Sequence, residues 1–169
     1  PLVEDEIVPL IKNLWLLDVN SHNTSDSSRT QFYQANASRK AVLNAARGYA
    51  EFIESLNIEI DIQVLAEQQL ERASELTYRT NQFNTTTIRL SHTELAHKLQ
   101  SNNQGGFIAS LKDRFGDYGI ICVAVYSIDK ENSTLEVSGL MVSCRAMERG
   151  VEYAMVRRLA QVAEKAGGS

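Results

Sequence analysis

The stretch 135–166, LEVSGLMVSCRAMERGVEYAMVRRLAQVAEKA, constrains the fold most, because a strand, a sharp turn and a helix follow one another within it. Leu135 and Val137 alternate with Glu136 and Ser138, the period of two that marks a half-buried strand. Gly139 interrupts the phase before Leu140, Met141 and Val142 continue apolar, which predicts a bulge or a close backbone approach there. Beyond Ser143, Cys144 and Arg145 the period becomes helical. Val151, Met155, Leu159, Val162 and Ala166 share one face, with Arg157, Arg158, Gln161 and Lys165 opposite and Gly150 at the turn. A strand that enters a helix through a glycine turn presents free backbone N–H groups and the positive end of a helix dipole, the arrangement that holds phosphate.

The rest of the chain supplies partners for that unit. Residues 5–17 are apolar on several sides, with Pro9 admissible only in a first helical turn. An apolar run ending at Asp18 has Asn20 two residues on, so the paired carboxylates of an Asp-x-Asp phosphatase loop are incomplete; a helix end leading into a polar loop fits better. Thr24 or Ser25 caps a helix predicted over 26–56, in which Gly48 lowers the helical propensity without ending it and Asn57 closes the end. Residues 58–64 alternate as a strand, and 66–80 form a helix with Leu70, Ala73 and Leu76 inward. Asparagines in 81–84 close that helix, 85–90 has β character, and Ser91 with Glu94 makes a capping box for a helix over 92–99. A turn over 101–106 precedes strands over 107–112 and 118–128, with hairpin loops at 113–117 and 129–133. The order predicts an α+β fold with an antiparallel meander.

Composition narrows the function classes. A net charge of −4 and a pI near 5.4 disfavour a nucleic-acid partner, which needs a basic face. Arg145, Arg149, Arg157 and Arg158 make one locally basic stretch, read either as a solvated helix face or as a surface for an acidic or phosphorylated partner. Cys122 and Cys144 are too few for a disulfide framework, and His22, His92 and His97 are scattered, so no metal site is expected. With no signal peptide and no long apolar run, a reducing cytoplasm without membrane insertion is the default expectation.

The strand–turn–helix unit resembles the cofactor loop of GNAT-type acetyltransferases, in which [Gln/Arg]-x-x-Gly-x-[Gly/Ala] grips the diphosphate of coenzyme A. Placed with Arg149 first and Ala154 last, the pattern puts Glu152 where the family has glycine. An acid there suits the helix dipole but adds negative charge beside a diphosphate and removes the close approach that glycine allows. The segments LTYRTNQFN (76–84), DRFGDYG (113–119) and SCRAMERGVE (143–152) further resemble the FkbH-like family of haloacid-dehalogenase-superfamily glyceryl transferase/phosphatases, over nearly the whole chain.

That resemblance implies a helical linker over 1–57, the tail of a preceding phosphatase-type domain. It also implies a truncated GNAT-like domain over 58–169, with a mixed sheet and flanking helices. It implies further a non-catalytic accessory role in loading a glyceryl unit onto an acyl carrier protein, with magnesium belonging only to the phosphatase domain. In that role Arg145, Arg149, Gly150 and Val151 would meet a phosphopantetheine arm or coenzyme A. The alternatives are an acyl-CoA-dependent acyltransferase and a purely structural or oligomerisation module. Cys144, beside Arg145 and a helix start, is a candidate thioester nucleophile or a small buried apolar residue. Arg79, Asn81, Gln82 and Asn84 either line a ligand groove or close the helix end and tie it to the sheet.

Overall fold

A computed structural model describes residues 26–167. The predicted helix over 5–17, the loop at 18–20 and the cap at Thr24 or Ser25 lie outside the described residues. The chain divides into two compact units, 1–45 and 46–169.

Helix α1, Asp26–Ala45, is the described part of the first unit. The single helix expected over 26–56 is broken: α2 runs separately over Tyr49–Ser55. The cause is local. Gly48, extended, is the N-cap of α2, and the Arg47 N–H donates to the Glu51 carboxylate at 2.7 Å. A glycine costs a helix interior about 1 kcal/mol, and an acid in the first turn favours a new start over continuation. Asn57 follows the end of α2 in the left-handed conformation, φ +49°.

The second unit is built on a four-stranded antiparallel sheet in the order β1-β2-β3-β4, formed by Glu59–Val64, Gln104–Asp113, Gly116–Asp129 and Thr134–Val142. A 3₁₀ turn, Glu67–Gln69, leads into α3, Leu70–Arg79; α4 is His92–Leu99 and α5 is Val151–Gly167. The capping box at Ser91 is formed, its N–H donating to Glu94 at 2.8 Å. No strand forms over 85–90, because a single bridge, Asn84 to Met141, is the extent of pairing there. The turn expected over 101–106 ends earlier, since β2 begins at Gln104. Gly105 makes this possible: a Cβ there would lie 2.6 Å from Tyr126 Cζ, in the ring that stacks on Phe107.

Alternation along β2, β3 and β4 gives the sheet two apolar faces. Phe107, Ala109, Leu111, Cys122, Ala124, Leu140 and Val142 meet Val151, Met155 and Leu159 of α5. Ile108, Val123, Val125 and Met141 meet Leu70, Ala73 and Leu76 of α3 and Leu95 of α4. The result is the expected α+β architecture, a sheet with helices on both faces. The phase break read at Gly139 is a bulge: Val125 pairs Gly139 and Tyr126 pairs Val137, leaving Ser138 extra. Among the described residues no helix is long and apolar enough to cross a membrane.

Burial, and after it the Glu152 carboxylate, pushes the Cys122 thiol far up. The unfolded thiol ionises near about pH 8.5 while the folded one stays protonated, so its stability contribution is whole below that pH and declines above it. Urea unfolding is expected to show stability falling with pH above about 8.5, by up to about 1.4 kcal/mol per unit. Cys122→Ala is expected to flatten that slope.

Candidate functional site: the loop between β4 and α5

β4 delivers the chain into the loop through buried Val142 and Ser143, whose N–H donates to the Ile121 carbonyl at 2.8 Å. A 3₁₀ turn, Cys144–Ala146, follows, closed by the Ala146 N–H on the Ser143 carbonyl at 2.9 Å. Two left-handed residues then reverse the chain: Glu148 at φ +63° and Gly150 at φ +83°. α5 begins at once, with the Ala154 N–H on the Gly150 carbonyl at 3.0 Å. The first-turn amides of this 17-residue helix therefore follow directly on the turn.

The left-handed positions of this backbone are 148 and 150, and neither 152 nor 154 is among them. That pattern suits a register of [Gln/Arg]-x-x-Gly-x-[Gly/Ala] in which Arg145 would stand first, Glu148 in place of glycine and Gly150 last. Glu152 lies in the first turn of α5, its Oε1 accepting from the Glu148 N–H at 3.4 Å. Residue spacing alone allowed both registers. Backbone handedness distinguishes them, because a positive φ is the conformation that favours glycine, and it occurs at 148 and 150 but not at 152 or 154.

Arg149, a candidate ligand contact from sequence, is engaged within the protein. Its guanidinium lies 4.6 Å over the Tyr118 ring, donates to the Tyr118 hydroxyl and pairs with Asp113 Oδ2 at 3.5 Å. Its side chain is 17% exposed and that of Asp113 is 0%. Asp113 also accepts from the Phe115 and Gly116 N–H groups at 2.8 and 3.1 Å and from the Tyr118 hydroxyl at 2.8 Å. In the basic stretch, read from sequence either as a solvated helix face or as a surface for an acidic partner, Arg158 lies 5.0 Å over Phe107 and donates to Gln161, and Arg157 is exposed. Arg145 is half-buried in the 3₁₀ turn, and Cys144, which is in no disulfide, is half-buried beside it.

Tyr49 of α2 touches the same loop, its hydroxyl donating to the Glu148 carbonyl at 2.7 Å. Desolvation, and next the nearby Glu148 carboxylate, raises this phenol above its ordinary range, so it stays a donor. Sequence reading missed Asp113, Tyr118 and Tyr49. The turn at 113–117 was legible, but a contact between residues 36 and 99 positions apart leaves no periodic trace.

The residues of 79–84 are not brought together. Asn81 Oδ1 accepts from Arg89 Nη2 at 2.6 Å, and the same guanidinium donates to the Thr80 carbonyl at 3.0 Å and to that of Thr77, closing the end of α3. Asn84 donates to the Ile88 carbonyl at 3.2 Å and bridges Met141. Here the chain lies along the outer edge of β4, the Thr85 N–H on the Leu140 carbonyl at 3.1 Å and the Val142 N–H on the Phe83 carbonyl at 3.0 Å. Gln82 is exposed, and Arg79 lines a shallow depression of about 320 Å³ with Glu71, Ser74, Glu75, Tyr78 and His92. Among the described residues no group of His, Cys, Asp or Glu is placed to hold a metal.

Opposite shifts are expected from two substitutions in the loop. Glu148→Gly relieves a left-handed side chain, worth about 1–2 kcal/mol, against about 0.5–1 kcal/mol of added unfolded-chain entropy. Gly150→Ala meets no atom within 4 Å but strains the backbone. Urea unfolding should show the first neutral to slightly stabilising and the second destabilising by about 1 kcal/mol.

No family model and no curated protein matches the chain. Solved structures do. The ribosomal-protein-S18-alanine N-acetyltransferase of Escherichia coli aligns at 16% identity with a TM-score of 0.49, over 64% of this chain and 62% of that one. AAC(6')-Iy, in complex with the bisubstrate analogue CoA-S-monomethyl-acetylneamine, aligns at 21% identity and TM-score 0.49 over 64% of this chain and 74% of that one. An acetyltransferase of Trypanosoma brucei aligns at 16% and 0.48 over 64% and 78%. The chain thus spans less than two thirds of the E. coli enzyme, and at these identities the likeness is one of fold. The expected accessory role in an FkbH-like glyceryl-loading enzyme is corrected here: the similar structures named above include acetyltransferases, and nothing in the comparisons supports that role.

Proposed function

We propose that the chain carries the donor half of an acyl-CoA-dependent acyltransferase, with the β4–α5 loop as its diphosphate site. The observation that carries this is the pair of left-handed residues, Glu148 and Gly150, between a bulged strand and a long helix. Left-handed turns expose successive N–H groups on one side, and the first-turn amides of α5 extend that row with a favourable dipole.

The backbone fits a diphosphate, and the side chains decide how tightly. Gly150 and the amides of Val151, Glu152 and Tyr153 would hold it, with Arg145, first in the pattern, adding charge. Glu148 and Glu152 oppose it electrostatically, and Arg149 is committed to Asp113. Coenzyme A, when bound, supplies the activated thioester; the protein's part is to fix the diphosphate and so the direction of the pantetheine. The outer edge of β4 at Leu140–Val142 is covered by 83–85. An arm entering there takes its place beside that segment or displaces it.

Calorimetric titration with coenzyme A at low salt is expected to show saturable binding with a submillimolar Kd, weakening as salt is raised. Glu148→Gly, which removes one opposing charge and opens the amide row, is expected to tighten it by about tenfold, or about 1.4 kcal/mol. No saturable heat at millimolar coenzyme A, for either protein, would remove the proposal.

A further inference from the structure

We infer that Asp113, Tyr118 and Tyr49 are positioning residues that hold the 148–150 turn in its left-handed conformation from two sides, an inference about the same loop that rests on the function proposed above.

Glu148 is a non-glycine residue at φ +63°, and such a residue persists only where its surroundings over-determine it. Two anchors flank it. On one side the Tyr49 hydroxyl holds the Glu148 carbonyl at 2.7 Å. Because the peptide is planar and trans, fixing that carbonyl toward α2 aims the Arg149 N–H the opposite way. On the other side the Arg149 side chain is held by Tyr118 and by Asp113. The peptide between 148 and 149 is therefore gripped through its oxygen and through the next side chain.

The anchors are themselves joined. The hairpin that carries Asp113 and Tyr118 docks on the end of α2: the Arg114 N–H donates to the Leu56 carbonyl at 2.9 Å and its guanidinium to the Ser55 carbonyl at 3.0 Å. α2 begins with Tyr49. Loop, hairpin and α2 thus form a closed circuit, in which moving one corner strains the other two. A buried carboxylate with four donors is a rigid corner, because each donor lost leaves charge unsatisfied.

The test uses Tyr49→Phe and Tyr118→Phe, which each remove one hydroxyl and leave the ring in place. Amide hydrogen exchange of the free protein should show Ala154, whose N–H is bonded back to the Gly150 carbonyl, exchanging at least tenfold faster in each variant, with β2 and β3 amides unchanged. Each hydroxyl removal should weaken coenzyme A binding in the protein with Glu148 and leave it unchanged in a Glu148→Gly background, which needs no external hold. The affinity for pantetheine, which lacks the diphosphate, should not move. Unchanged exchange at Ala154, or equal acceleration throughout the sheet, would overturn the positioning role whatever the ligand result. A wild-type protein that binds no coenzyme A but shows local exchange in the variants would keep the clamp and remove the acyltransferase function.

Discussion

The Asp113 carboxylate is the constraint on which the site depends. A carboxylate with no exposed surface must be satisfied by donors or stay neutral, and this one meets two backbone N–H groups, a phenol and a guanidinium. The backbone pair shapes the β2–β3 turn. The phenol comes from the next strand, and the guanidinium from the loop that enters α5. One buried charge therefore ties the end of the sheet to the start of a helix 36 residues away in sequence. The turn also docks on the end of α2, so three segments without a common periodicity share one geometry.

Much of the second unit was legible from residues alone. Alternation gave β1 and the meander, the 3.6 period gave α3 and α5, Ser91 with Glu94 marked α4, and the phase break at Gly139 marked the bulge. The failures have physical causes. The helix across Gly48 was read as continuous because its apolar stripe continues, but the capping of Arg47 by Glu51 outweighs that stripe. The segment 85–90 looked like a strand because threonine and isoleucine favour extended backbone. It lies instead beyond one bridge on a sheet edge, with Thr87 itself left-handed.

The loop shows the same limit more sharply. An arginine followed at the right spacing by small residues occurs twice, from Arg145 and from Arg149, and spacing cannot choose. The choice is made by which residues have positive φ, and it changes the role of Arg149 from ligand contact to anchor. The conflict read from sequence, an acid where the turn prefers glycine, remains, with Glu148 as the residue concerned. In the function proposed above, the backbone amides of this loop favour an anion and the carboxylates of Glu148 and Glu152 oppose it.

The most direct measurement of this account is a double-mutant cycle between Asp113→Asn and Arg149→Met, read as unfolding free energies in urea. If the buried carboxylate joins hairpin and loop, the two losses are strongly non-additive, with a coupling of about 1–3 kcal/mol. Additivity within about 0.5 kcal/mol would mean that each residue serves its own segment, and the tie between the sheet and the loop would not exist.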